Sequence, residues 1–322
     1  MNSILQSIAK LPLALLRIFA RSVAGIMMLF PHTGMRWTTR VNLMLAFPEL
    51  EQSARLSLER QSVTNECQTV MESIKCWGMQ PQYSIDQIKD VEGLDILKKA
   101  LADPKGMIAV VPHLGTWEMM NAWLNQFGSP TIMYKPSDNA GIDKFMLHAR
   151  QRLNATLVPT DEVGVRAIFK TLKKGGFTII LPDHVPEPSG GIYAPFFGHE
   201  VMTTTLVSKL AQKTKCSVIA LSCIRNEGNN GFNVVCVSMP ESIQDPDLRV
   251  SVTALNQSIE TMIRRTPAQY VWSYRRFKDA ENFKGVYRMD EMAIHEIDSE
   301  IIAKRNTITS PPLSDDVNQR TG

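Results

Sequence analysis

Residues 107–118 read MIAVVPHLGTWE, and this stretch decides the fold. Its first five residues form an apolar run of the length that a buried strand needs, and the run ends at Pro112 and His113. The Gly-Thr pair at 115–116 then favours a turn and the start of a helix. Because α/β proteins present reactive side chains at such strand-to-helix turns, His113 is the first candidate for chemistry.

Similar apolar runs recur further along the chain and alternate with amphipathic, helix-like segments. These runs are Thr131–Tyr134, Ala155–Val158, Phe177–Leu181, Ser217–Cys223 and Phe232–Val237. The alternation predicts an α/β fold with a central mixed sheet flanked by helices, after a mostly helical stretch that reaches about Ala102. We expect one α/β domain over residues 31–306 and, because residues 307–322 are polar and contain two adjacent prolines, a disordered tail there.

The first thirty residues have a composition of their own, rich in Leu, Ile, Ala and Met. Four polar residues recur in them at steps of four and seven and therefore share one stripe of a helix: Gln6, Lys10, Arg17 and Arg21. This pattern predicts a membrane-associated amphipathic helix over residues 1–30, lying in the cytoplasmic interface with its arginines reaching lipid head groups. A tilted transmembrane anchor and an ordinary core helix are the alternatives, whereas arginines inside the apolar run argue against a secretory signal.

The charge distribution supports a membrane rather than a nucleic acid as partner. The chain carries a formal net charge of +3, but residues 1–40 hold five basic and no acidic side chains, so about −2 remains for the rest. A nucleic-acid-binding protein usually spreads its basic residues over a folded face. The five cysteines are odd in number and form no CxxC pair, which argues against a disulfide framework and a zinc ribbon and favours a reducing, cytosol-facing setting.

The pair formed by His113 and Glu118 can activate a hydroxyl group. A histidine titrates near neutrality and can act as general base, and a carboxylate five residues later could bind its other ring nitrogen and stabilise the imidazolium. The spacing alone carries little information, because His295 and Glu300 repeat it in a polar stretch with no strand before it. The preceding strand is what distinguishes His113.

Several blocks, in the same order, resemble the late lipid A acyltransferases, the lauroyl- and myristoyl-transferring members of the glycerolipid acyltransferase superfamily. They extend from about Arg40 to Lys278 and comprise Val111–Glu118, Tyr134–Pro136 with Asn139, Gly164–Arg166 leading into LKKGG, Pro182–His184, Ala194–Thr205 and Trp272–Lys278. Two positions depart from the family's common pattern, Lys135 in place of Arg and His184 in place of Gln. Lysine keeps the charge but loses the bidentate geometry that arginine offers to phosphate.

The resemblance implies roles for particular residues. It assigns His113 as catalytic base and Glu118 as the residue that orients it, and it matches Arg150 to an arginine that meets acceptor phosphate. Asp183 should lie at the same sheet edge as His113 and position substrate, while Lys135 and Arg276 are candidates for carrier or sugar phosphate. The Phe-Phe-Gly segment at 196–198 is expected to pack as a loop beside an acyl groove.

The resemblance also implies a reaction at the cytoplasmic face of the inner membrane, without cofactor, metal or nucleic acid. A hydroxyl of a hydroxyacyl chain on a lipid A precursor attacks the thioester of acyl-carrier protein, and nearby backbone donors stabilise the oxyanion. Two alternatives stay open. The enzyme could acylate a lysophospholipid or an aminolipid, or the chain could be a non-catalytic lipid-binding protein. Neither GxSxG, GxGxxG nor GxxxxGK[ST] occurs, which disfavours a serine hydrolase and a nucleotide-binding enzyme.

Overall fold

The computed structural model of the chain describes residues 2–30, 34–281, 284–296 and 299–300. Within them, seven strands form a central sheet in the order β1-β9-β8-β2-β5-β3-β4, and two more form a separate hairpin, β6-β7. The strands are β1 Ile88–Glu92, β2 Met107–Val110, β3 Thr131–Met133, β4 Thr156–Val158, β5 Phe177–Ile180, β6 Gly191–Phe196, β7 His199–Thr204, β8 Ser217–Arg225 and β9 Phe232–Ser238. The central sheet is parallel except where β8 meets β9, so the predicted mixed sheet is confirmed.

Eleven α-helices precede a further helical segment, residues 291–296 and 299–300, in the described part of the chain. They are α1 Asn2–Lys10, α2 Leu13–Met27, α3 Gly34–Ala46, α4 Gln52–Gly78, α5 Pro81–Gln87, α6 Leu94–Leu101, α7 Trp117–Leu124, α8 Ala140–Gln151, α9 Glu162–Lys173, α10 Leu206–Thr214 and α11 Leu248–Arg265. Polar caps begin some of them: Asn139 accepts hydrogen bonds from two backbone N–H groups of α8, and Asp161 does the same for α9. The predicted tail at 307–322 lies outside the described residues.

Strand β2 shows why the sheet lies at the centre of the fold. All four of its residues are buried, and successive side chains enter different apolar clusters, Ile108 and Val110 one and Met107 and Ala109 the other. Side chains of a strand point alternately to opposite faces, so both faces of this sheet are covered. The six apolar runs singled out in the sequence are all strands, which confirms those predictions.

The N-terminal segment differs from the prediction of one amphipathic helix. It forms two helices, α1 and α2, because Pro12 has no N–H to continue a helix and instead precedes α2 as its cap residue. Two residues of the polar stripe face inward: Gln6 Nε2 donates to Gly78 O at 2.7 Å, and Arg17 is 0% exposed. Among the described residues, no helix is both long and apolar enough to cross a bilayer.

Arg17 forms a buried ion pair rather than reaching lipid head groups as predicted. Its Nε donates to Oε1 of Glu72 on α4 at 2.7 Å, and both side chains are fully buried. A buried charge is stable only with a partner, and removing one partner from such a pair typically costs about 3–5 kcal/mol. The pair therefore fixes α2 against α4, and Lys10 and Arg21 remain the exposed basic residues of the stripe.

The hairpin β6-β7 includes the Phe-Phe-Gly segment, which turns between the two strands. Phe196 and Phe197 are buried, and Phe197 adopts φ 46° while its N–H donates to Glu260 at 2.7 Å. The Phe197 ring packs edge-on against Phe47 and Trp272. The segment thus packs in the apolar core, with Phe196 as the last residue of β6, and its expected place beside an acyl groove stays a prediction.

Candidate active site

The carboxyl ends of β2 and β5 bring two candidate residues together. The strands are parallel neighbours, with Val110 paired to Ile180, and His113 and Asp183 each follow three residues after those positions. Equal offsets from paired residues of parallel strands lead to the same edge of the sheet. The expectation that Asp183 lies at the edge that carries His113 is confirmed.

Asp183 accepts two hydrogen bonds from His113. The backbone N–H of His113 donates to Oδ2 at 2.8 Å, and Nδ1 of the ring lies 2.8 Å from Oδ1. Burial would raise the pKa of Asp183, but the adjacent His113 and its hydrogen bonds outweigh burial and hold that pKa well below its usual range. Asp183 is therefore ionised at neutral pH and accepts from both donors.

The hydrogen bond to Asp183 determines which ring nitrogen of His113 can act as a base. An ionised carboxylate only accepts, so Nδ1 must carry the proton, and in the neutral ring Nε2 then holds the lone pair. Nε2 has no hydrogen-bond partner among the described residues, and the side chain is 16% exposed. The imidazole is thus oriented with its basic nitrogen available to a substrate hydroxyl.

Aromatic rings surround the His113 imidazole. His184 stacks on it with ring centroids 4.0 Å apart and an angle of 3°, and Tyr274 stacks on the outer face of His184 at 3.9 Å and 12°. Trp117 approaches His113 edge-on at 4.9 Å. Burial, with the repulsion that His113 exerts when it is protonated, lowers the pKa of His184 to about 4, so this second imidazole is uncharged at neutral pH.

Glu118 does not bind His113, which corrects the predicted pair. Its Oε1 accepts from Nη2 of Arg150 at 2.8 Å, and the Arg150 guanidinium also lies 5.2 Å from the centroid of the Tyr134 ring. The physical reason is local: Glu118 lies in the first turn of α7, where its buried carboxylate meets α8 instead of the preceding turn. Asp183 takes the place at the imidazole that was predicted for Glu118.

The turn that follows His113 is held by its backbone. The N–H groups of Leu114, Gly115 and Thr116 donate to the carbonyls of Pro112, Gln269 and Cys223 at 2.7, 2.9 and 2.8 Å. Gly115 adopts φ 68°, and a Cβ there would lie 1.9 Å from the Cys223 carbonyl oxygen, so only glycine fits. Because these three N–H groups are engaged, they are not free to stabilise an oxyanion, and the expectation of nearby backbone donors stays a prediction.

A buried carboxylate, which the sequence analysis missed, ties this turn to distant elements. Glu72 accepts from Thr116 Oγ1 at 2.6 Å, from Arg17, and from Arg225 at the end of β8 at 2.7 and 2.6 Å. Three donors leave its charge well compensated. No spacing in the sequence relates residues 17, 72, 116 and 225, so pattern reasoning had no signal for this cluster.

Glu66 is a second residue that the sequence analysis did not single out. Its Oε1 accepts from the hydroxyl of Ser273, and its Oε2 is buried without a hydrogen-bond partner among the described residues. Burial raises the pKa of Glu66, although the Ser273 hydrogen bond and the nearby His113 oppose the rise. The carboxyl group adds a titratable side chain of α4 to the surroundings of His113.

Two predicted phosphate-binding residues occupy different settings. Lys135 follows β3 at the same sheet edge as His113 and is exposed. Arg276 is 2% exposed and donates to Met202 O at 2.7 Å and Thr203 Oγ1 at 2.8 Å, which anchors the hairpin. Arg276 therefore lies inside the protein rather than at a rim, because its guanidinium completes the hydrogen bonding of β7.

No cluster of three or more His, Cys, Asp or Glu side chains that could hold a metal ion occurs in the described part of the chain. The site around His113 consists of this imidazole as base, Asp183 as its carboxylate partner and the ring stack of His184 and Tyr274. Such a group can remove a proton from a hydroxyl without a serine or cysteine nucleophile.

Comparison with known proteins points to one family. The family model described as bacterial lipid A biosynthesis acyltransferase matches residues 1–279. The lipid A biosynthesis lauroyltransferase of Escherichia coli (strain K12) is 28% identical over 241 residues, 74% of this chain and 77% of that protein. The palmitoleoyltransferase of the same organism is 27% identical over 240 residues, with coverage of 74% and 77%. A phosphatidylinositol mannoside acyltransferase of Mycobacterium tuberculosis (strain ATCC 25618 / H37Rv) is 26% identical over 148 residues, 45% of this chain and 46% of that protein.

Proposed function

The chain belongs to the bacterial lipid A biosynthesis acyltransferase family, and on that premise we propose that it transfers a fatty acyl chain from acyl-carrier protein to a hydroxyl of a hydroxyacyl chain on a lipid A precursor. The observation that carries the chemistry is the His113 imidazole, held by Asp183 through Nδ1 and open at Nε2. A base fixed in this way suits direct attack by the acceptor hydroxyl on a thioester.

The reaction proceeds by addition and elimination. The hydroxyl oxygen bonds to the thioester carbonyl carbon while its proton passes to Nε2 of His113, and Asp183 stabilises the imidazolium. Collapse of the tetrahedral intermediate breaks the carbon–sulfur bond, and the leaving thiolate takes the proton back from Nε2. The enzyme returns to its starting protonation state, and no covalent acyl-enzyme forms.

Arg150 is the side chain best placed to meet a phosphate of the acceptor. It is partly exposed, while Glu118 occupies one of its nitrogens and the Tyr134 ring covers one face. The Glu118 carboxylate therefore orients the guanidinium, and because Nε is buried, the donors left for an anionic group are those of the two Nη atoms. Lys135, at the same sheet edge, supplies a further positive charge without bidentate geometry.

The outer face of α2 suits an inner-membrane surface on the cytoplasmic side. We define this face by Leu15, Ile18, Phe19 and Ile26, which are exposed apolar side chains at helical spacing. Apolar faces of this kind insert into the boundary between head groups and acyl chains, and the exposed Arg21 adds attraction to anionic lipids. Glu72 joins Arg17 of α2 to the Thr116 turn, so a membrane-bound α2 holds His113 close to lipid substrates.

Mass spectrometry of lipids from a strain lacking the gene, with and without the gene restored on a plasmid, tests the acceptor. The proposal expects lipid A that lacks one acyl chain and regains it on complementation. Unchanged lipid A with altered phospholipid or aminolipid would instead identify another lipid as acceptor. The partial similarity to a phosphatidylinositol mannoside acyltransferase is the observation that favours this alternative. No change in any lipid would favour a non-catalytic lipid-binding protein.

A further inference from the structure

Residues 183 and 184 restrain the His113 ring from two perpendicular directions. The Asp183 carboxylate binds Nδ1 in the plane of the imidazole, whereas the His184 ring covers its face at a centroid distance of 4.0 Å. The hydrogen bond alone leaves the imidazole free to rotate about the line that joins Nδ1 of His113 to Oδ1 of Asp183. A ring stacked at 3° opposes that rocking, so one dipeptide supplies both restraints.

Tyr274 supports the stack from the other side, and it is itself anchored. Its ring lies 3.9 Å from that of His184, its hydroxyl oxygen accepts from Val185 N at 2.9 Å, and its carbonyl accepts from Asn42 Nδ2 at 2.7 Å. The backbone N–H of Val185, next to His184, is therefore hydrogen-bonded to the tyrosine whose ring stacks on His184. The support extends to α3 through Asn42.

The uncharged state of His184 also favours the protonation of His113 in the proposed mechanism. His184 is uncharged at neutral pH, so an imidazolium formed on His113 meets the face of a neutral ring and not a second cation. A charged neighbour at this distance would oppose protonation of His113 instead.

We propose that His184 is a positioning residue, whose ring, backed by Tyr274, holds the His113 imidazole by stacking so that Nε2 points at the acceptor hydroxyl. This inference rests on the proposed acyl transfer, in which His113 is the base. It assigns a role to a residue that departs from the family's common Gln, and it requires a flat ring at position 184 rather than a hydrogen-bonding or titrating group.

Three substitutions separate stacking from other roles: His184→Phe, His184→Gln and His184→Ala. Phenylalanine keeps a flat ring and removes both nitrogens, while glutamine keeps polarity and removes the ring. Since misplacement of a catalytic group by about 1 Å can cost about 100-fold in rate, we expect kcat to fall about 10-fold or more in His184→Gln and His184→Ala, with KM nearly unchanged. His184→Phe should recover most of that loss.

Two kinetic outcomes would overturn the inference. A His184→Phe enzyme as slow as His184→Ala would show that the ring face is not what matters, and wild-type kcat in all three variants would show that the residue positions nothing. His295→Gln serves as a matched control, because that exposed histidine lies far along the chain from the stack and should leave kcat unchanged.

A second measurement does not depend on turnover. Two-bond ¹H–¹⁵N correlation spectra of the histidine rings report the tautomer and the mobility of His113 directly. We expect a single Nδ1–H tautomer in the wild type and in His184→Phe, and exchange broadening in His184→Gln. Unbroadened His113 signals in every variant would refute the positioning role of His184, even if His113→Ala proves inactive. An active His113→Ala enzyme would instead refute the proposed mechanism, and the spectra would still test whether His184 positions the His113 ring.

Discussion

Asp183 accepts hydrogen bonds from both the backbone N–H and the ring Nδ1 of His113, each at 2.8 Å. The two bonds come from the same residue, so the carboxylate fixes the turn as well as the ring. Because Asp183 is buried and ionised, it can also balance the charge that His113 gains when it takes a proton. The pair therefore combines orientation with electrostatic stabilisation.

Replacing Asp183 by asparagine should slow acyl transfer strongly. The amide is close in shape to the carboxylate but carries no charge and can favour the wrong tautomer of His113, and comparable substitutions in His–Asp pairs lower kcat by about 10⁴-fold. We expect a fall of about 100-fold or more in kcat with a smaller change in KM. Asp279→Asn is the control, since that side chain is exposed near Lys278. Equal rates for the two variants would rule out the assigned role.

The ion pair of Glu118 and Arg150 should contribute to stability as a coupled unit. Arg150→Met leaves the Glu118 carboxylate buried without its partner, which typically costs about 3 kcal/mol or more. Glu118→Gln should cost less, because the Arg150 guanidinium is partly exposed. A double-mutant cycle measured by urea unfolding is expected to give a coupling energy of about 1 kcal/mol or more. Additive effects would show that the pair is not energetically coupled.

The outer face of α2 should carry membrane binding. Phe19→Asp removes an apolar side chain whose full burial contributes about 1.5–3 kcal/mol. The partition of the variant protein onto vesicles should therefore weaken by about 10-fold or more. Val163→Asp is the matched control, because Val163 on α9 is also an exposed apolar residue, and both side chains are 56% exposed. Co-sedimentation with phosphatidylethanolamine–phosphatidylglycerol vesicles compares them. A loss of binding of the same size in both variants would contradict the assignment of this face.

His184 should make stability depend on pH in a defined window. Its folded pKa is about 4 against an ordinary value of 6.5, so between these values the unfolded chain binds more protons, and the free energy of unfolding falls as pH falls. The charged and titratable groups that act on His184 are His113, Asp183, Arg276 and Lys278. The contribution of Asp183, whose pKa is depressed, is lost at lower pH, below its ordinary value of 3.8.

Urea unfolding at about pH 7 and about pH 5 measures this dependence. His184→Gln should lose less stability between the two than the wild type, whereas His295→Gln should behave as the wild type does. If the decrease were undiminished in His184→Gln, the low pKa could not belong to this residue.

Sequence patterns located the strands that have apolar runs and missed those that do not. Strand β1, IKDVE, exposes three of its five side chains, so it has no apolar run and lay within a stretch predicted to be helical. The hairpin β6-β7 contains Pro195, follows Gly190 and begins at Gly191, and these residues favour a loop. Each strand of the hairpin is recognisable only from its pairing with the other strand in the folded protein.

The candidate site was predictable at the level of the sheet edge but not of individual contacts. Parallel strands place His113 and Asp183 together, yet the sequence cannot show which carboxylate reaches Nδ1, since that depends on where α7 begins. The polar stripe of the N-terminal segment likewise has two interpretations. The inward orientation of Arg17 is stable only because Glu72, 55 residues later, pairs with it.

The most direct test of the account is the rate of acyl transfer from acyl-carrier protein to a purified lipid A precursor by His113→Ala, compared with His295→Ala. The two histidines share the same spacing to a glutamate, but only His113 follows a buried strand and binds Asp183. The account predicts that His113→Ala stays folded and loses about 100-fold or more in rate, while His295→Ala keeps the wild-type rate. A folded His113→Ala protein that transfers acyl chains as fast as the wild type would contradict it.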